Sequence, residues 1–138
     1  MPNKAARFSS DYLPQEQMHA LLLALPKALL SLLGEKRVVA SYGWAARIHG
    51  DLFYKPMREN VLTLQYLIED SIEQRIVIPG ESDFRFEVPE GRLDILFCHE
   101  SDIHLDGMDE DLMRRFMATE PYSQLRWITG EEVERSMA

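Results

Sequence analysis

Residues 83–97 alternate between apolar and polar side chains on both sides of a turn, and no other stretch restricts the fold as strongly. Phe84, Phe86 and Val88 oppose Asp83, Arg85 and Glu87. Pro89-Glu90-Gly91 supplies the turn, after which Leu93, Ile95 and Phe97 resume the alternation. A period of two sends successive side chains to opposite faces, so each strand carries one apolar and one polar face. The pattern predicts an antiparallel hairpin with one side in a core and the other wet.

The rest of the chain is read outward from that hairpin. Met18, Leu21, Leu22, Leu25, Leu29, Leu32 and Leu33 recur at helical spacing, with Pro14 suited to the first turn and Gly34 to the residue past the end. Pro26 lies inside and predicts a kink or a split there. Leu23 and Leu30 fall off the main stripe and are candidates for a homodimer contact. Residues 1–13 show no clear period and are expected to form a flexible arm. Residues 37–42 read as a strand, residues 49–51 as a turn and residues 52–54 as a short strand stopped at Pro56. Residues 60–68 fit both periods, and the alternation of Leu62, Leu64, Tyr66 and Ile68 favours a strand, followed by another over residues 72–78.

Beyond the hairpin, residues 92–117 pass from strand through an acidic junction to a short helix. Asp106 or Asp109 caps that helix, whose core face is Met108, Leu112, Met113, Phe116 and Met117. Pro121 bounds it. Residues 124–128 form a last strand, and Thr129 with Glu132 opens a short final helix. The expected class is α+β over a single domain, residues 1–138. It comprises an N-terminal helix, a mostly antiparallel sheet of about five to six strands, a C-terminal helix-strand-helix, and helices on one face.

Charge is unevenly distributed. Residues 1–80 hold nine Lys/Arg and eight Asp/Glu, and residues 81–138 hold six and fifteen, so a net +1 half precedes a net −9 half in a chain of net charge −8. That balance favours a cationic partner over a nucleic-acid backbone. Glu100, Asp102, Asp106, Asp109, Glu110 and Asp111 are the acids expected to meet a basic partner protein. The start carries no signal-like apolar core, and the Leu-rich run is broken by His19, Pro26 and Lys27. The expectation is therefore a cytoplasmic protein without a membrane segment.

Asp102, His104 and Asp106 share one side of an extended segment, with Ile103 and Leu105 on the other. With His99 they form a candidate divalent-metal set. The spacing also matches the first half of a calcium loop, D-x-[DN]-x-[DN]-G. It then departs from that loop, with His104 in an oxygen-ligand position and Met113 where a bidentate Glu belongs. Cys98, the only cysteine, adjoins His99 but reads as a small buried side chain, since strand neighbours face opposite ways. His49 lies in a turn beside Asp51, and His19 flanks the apolar stripe of the first helix. Tyr42, Trp44, Phe53 and Tyr54 read as sheet packing. Phosphate-loop, dinucleotide, nucleophile-elbow and zinc-protease motifs are all missing. A small acidic α+β domain of this profile is shared by toxin-neutralising immunity proteins and secretion chaperones. The leading expectation is accordingly a non-enzymatic binding protein without a cofactor, and the alternative is a metal-binding protein or small metal enzyme.

Overall fold

In the computed structural model, which describes residues 6–34, 36–48 and 50–130, seven strands form one antiparallel sheet in the order β3-β2-β4-β5-β6-β1-β7. The strands are β1 (Ala6–Ser10), β2 (Arg37–Tyr42), β3 (Met57–Asn60), β4 (Phe84–Val88), β5 (Leu93–Cys98), β6 (Asp102–Gly107) and β7 (Trp127–Thr129). Three helices, α1 (Gln15–Leu33), α2 (Val61–Glu73) and α3 (Glu110–Met117), complete the α+β architecture. The predicted hairpin is β4–β5, with Phe84 opposite Phe97, Phe86 opposite Ile95 and Val88 opposite Leu93.

Every strand that reaches the core buries one parity. Phe8, Val38, Ala40, Phe84, Phe86, Val88, Leu93, Ile95, Phe97, Ile103 and Leu105 are all buried and join one cluster with the apolar stripes of the three helices. The helices therefore lie on one face of the sheet. The opposite parity carries Arg7, Ser9, Ser41, Arg85, Glu87, Asp94, Leu96, Asp102, His104 and Asp106, none of them fully buried, together with Cys98, which is buried at the end of β5. This second face is left uncovered by the described helices.

Helix α1 runs unbroken through Pro26 and ends on Gly34 at φ 69°, a conformation that favours glycine. Leu23 and Leu30 are its exposed leucines. The Tyr122 hydroxyl donates to the Leu21 carbonyl at 2.6 Å, tying the segment after α3 onto α1. No described helix is long and apolar enough to cross a membrane.

Five expectations are corrected. Residues 6–10 of the supposed flexible arm form β1, an interior strand between β6 and β7. Phe8 enters the core, and the buried Ser10 hydroxyl accepts the Ile103 N–H. Residues 61–68 are helical, and Asn60, the last residue of β3, caps α2 by accepting the Leu62 N–H at 2.8 Å. The helix buries Val61, Leu64, Ile68 and Ser71, while Leu62 and Tyr66 lie exposed. Residues 72–78 accordingly hold the end of α2 and a loop anchored by buried Val77, with no strand. Residues 52–54 are the end of a 3-10 turn (Gly50–Leu52) and a bend, and the strand comes later, as β3. With β1, β3 and β6 gained, and the last strand expected over residues 124–128 found as β7, the sheet has seven strands rather than five or six. The final helix expected from Thr129 and Glu132 lies largely outside the described residues.

Candidate functional site

The open face is organised in rungs that follow from strand register. One rung runs Ser9, His104, Leu96, Arg85, Ser41 across β1, β6, β5, β4 and β2. The next runs Arg7, Asp106, Asp94, Glu87, Val39 across the same strands. Neighbouring strands stand about 4.8 Å apart. Asp94 is thus flanked by a carboxylate on each side, Asp106 on β6 and Glu87 on β4. A cavity of about 360 Å³ opens over this region, lined by Arg7, Arg85, Asp94, Leu96, His104 and Asp106 among others.

The electrostatics follow from that placement. Burial pushes the Asp94 carboxyl up to about 6, with Glu87 and Asp106 adding to the rise and Arg85 opposing it. Arg85 Nε stands 3.3 Å from Asp94 Oδ1, yet neither atom completes a hydrogen bond with any described group. Asp106 is paired with Arg7 at 3.3 Å, on the exposed edge of the face. The central carboxylate is therefore the most buried of the three in its rung, with a like charge on each side and Arg85 as its cation.

The second feature lies at the end of the face where the β5–β6 hairpin turns. His104 Nε2 stands 2.9 Å from Asp102 Oδ1, and its Nδ1 stands 3.0 Å from the Ser9 hydroxyl. The Asp102 contact is the largest cause that raises the imidazole to about 10, followed by Cys98, with burial opposing. Cys98, 6% exposed, faces the same side. Asp83, at the start of β4, accepts both the His99 N–H at 2.7 Å and a contact from His99 Nδ1 at 2.8 Å. His99 Nδ1 is also 3.8 Å from Cys98 Sγ. The sulfur thus stands between two His–Asp pairs. Trp44, 61% exposed, packs its ring 5.8 Å from that of His99, and Tyr54, 65% exposed, lies against Gly43 beside Asp83.

The acids expected to form one patch are divided. Glu100 is exposed at the hairpin tip, 3.9 Å from His99 Nε2. Asp102 and Asp106 lie on the open face. Asp109, Glu110 and Asp111 begin α3 at the other end of β6, roughly 20 Å from Asp102 at strand rise. Asp109 is engaged there: it accepts the Leu112 N–H at 3.0 Å as the helix cap and binds Arg92 at 2.9 Å, and both contacts hold its carboxyl low. Glu110 pairs with Arg114 along α3.

Of the expected metal set, Asp102 and His104 meet, His99 belongs to the neighbouring pair, and Asp106 is turned to Arg7. His19 is exposed on α1, away from this cluster, and His49 lies outside the described residues. Of the aromatic group, Tyr42 is buried and bonded to Ser71 at 2.6 Å, as packing predicts, whereas Trp44 and Tyr54 are not packed away.

Sequence reasoning passed over Glu87 and Asp94, although the turn at residues 89–91 already set them opposite each other. It also passed over Asp83 and Arg85, whose partners His99 and Asp94 lie across the same hairpin, and Ser9, whose partner His104 comes from a strand that the sequence does not disclose as a neighbour. Comparison of the chain with protein-family models, curated proteins and solved structures found no match.

Proposed function

We propose that this chain is a non-enzymatic binding domain for a basic protein partner, of the immunity or secretion-chaperone kind, and that it binds through the open face of its sheet. The observation that carries the reading is the Glu87–Asp94–Asp106 rung. Three carboxylates stand side by side on a face that the described helices leave uncovered, and burial together with its two like-charged neighbours raises the middle one to about 6 even with Arg85 at 3.3 Å. A Lys or Arg from a partner relieves that repulsion and gains a partly desolvated carboxylate. Trp44 and Tyr54 stand at one end of the face as exposed aromatic anchors, the residue types that dominate binding energy at protein interfaces. At the start of α3, Asp109 is engaged in capping and Glu110 in a pair with Arg114, so this reading sets recognition at Glu87, Asp94 and Asp106 with Glu100 at the tip.

The test is affinity measured by calorimetry with the partner retained from a native lysate, then purified. Glu87→Gln with Asp94→Asn should weaken binding at least about tenfold and flatten its salt dependence. Trp44→Ala should cost a similar factor. Reversal of Asp109, Glu110 and Asp111 to Lys should leave affinity within about threefold. Because a bound cation favours ionised Asp94, binding should tighten as pH rises through about 6. Wild-type affinity in both the rung and Trp44 variants would overturn the reading.

A further inference from the structure

We propose that Cys98, Asp102 and His104 form a binding site for one zinc-class divalent ion, at the β5–β6 end of the open face. One ligand atom from each lies within 4.8 Å of the other two. Asp102 and Cys98 are directly opposed across the β5–β6 ladder, and His104 lies two residues along on the same face. A tetrahedral zinc ion about 2.0–2.3 Å from its ligands holds them about 3.3–3.8 Å apart, so the set closes with roughly an ångström of side-chain movement.

The donor types choose the metal. One sulfur, one imidazole and one carboxylate form a borderline-soft set that suits zinc or cobalt and is wrong for calcium or magnesium, which take oxygen. The surroundings resemble those of a ligand set rather than of an ordinary surface histidine. The Ser9 hydroxyl engages His104 Nδ1 at 3.0 Å, which orients the ring and turns Nε2 toward Asp102. Metal-bound histidines are held by an outer hydrogen bond in the same way.

A second set, Asp83, Cys98 and His99, shares the same sulfur, so one ion rather than two is expected. There Asp83 already occupies His99 Nδ1, the ring nitrogen that faces the cysteine. In the set at His104 the carboxylate likewise engages the ring, Asp102 on Nε2, but Asp83 is held by the His99 N–H as well. Only His104 is oriented from its far nitrogen by Ser9, and His104 lines the cavity on the open face, which supplies a path for entry. Cys98 gives up its proton on binding, and the fourth position is left to water. Glu87, Asp94 and Trp44 take no part, so this site stands or falls apart from the partner reading.

The test is titration of chelator-treated protein with Co²⁺ and Zn²⁺ alone. Since the chain has a single cysteine, any thiolate-to-cobalt absorption band reports Cys98. The expected result is one equivalent of Co²⁺ with that band, displaced by Zn²⁺. Cys98→Ser should abolish the band, and His104→Ala should weaken zinc binding at least about tenfold. Ser9→Ala should weaken it about tenfold through ring orientation alone, and Asp106→Asn should leave it unchanged. Thermal unfolding of each variant confirms that it is folded. No binding up to about millimolar metal would overturn the site, as would cobalt bound without a thiolate band, or zinc affinity unaltered in folded His104→Ala.

Discussion

Asp94 shows how one side chain's surroundings can set a property of the whole fold. Its carboxyl titrates near 6 in the folded protein and near 4 in an unfolded chain. Between those values the folded state holds a proton that the unfolded state has released, so this residue's contribution to stability falls as pH rises through the window. Asp94→Asn removes the titration. Relative to wild type, it should gain about 1 kcal/mol more at pH 7.5 than at pH 4.5, a figure reduced for partial exposure. Urea unfolding at the two pH values checks this, and an equal difference at both would contradict it. Gly107 is a residue of the opposite kind, silent in chemistry and strict in space. Its φ is 151°, and a Cβ there would strike the Arg92 carbonyl. Gly107→Ala should cost about 3 kcal/mol in the same measurement. Tyr122→Phe, which strands the hydroxyl's place against the Leu21 carbonyl, should cost about 1–2 kcal/mol.

At the scale of elements, what could be read from the sequence depended on whether a pattern was local. The β4–β5 hairpin was readable because both strands and their turn are contiguous and each strand has one clean apolar side. Helix α2 was misread because Leu62 and Tyr66, which face solvent, imitate a strand's alternation when counted with Leu64 and Ile68. Asn60, its cap, was the signal that decided the matter, and Asn60→Ala should lower stability by about 1 kcal/mol in thermal unfolding. Strand β1 was hidden for a different reason. Its second core position is Ser10, a polar residue that earns its burial by accepting the Ile103 N–H. The candidate sites were half readable in the same sense. The alternation of Asp102, His104 and Asp106 on β6 was visible, but Cys98, Asp83 and Ser9 join it only through the pairing of four strands.

For the molecule as a whole, seven strands with helices on one side leave a broad face whose charges are arranged in rungs, and both proposals rest on that asymmetry. The same sheet order bears on time. Strand β1 lies between β6 and β7, and Ser9 meets His104 across 95 residues of chain. Strand β1 therefore waits, unpaired, until β6 (Asp102–Gly107) has been made. Folding that depends on such distant pairing is slow, and a nascent chain has no place to put its first strand. Ribosome-stalled chains ending at residue 100 should be cleaved by protease within β1, whereas chains carrying residues 1–138 clear of the exit tunnel should resist. Strand β1 thus stays unsheltered during synthesis for longer than the strands of the β4–β5 hairpin, which pair locally.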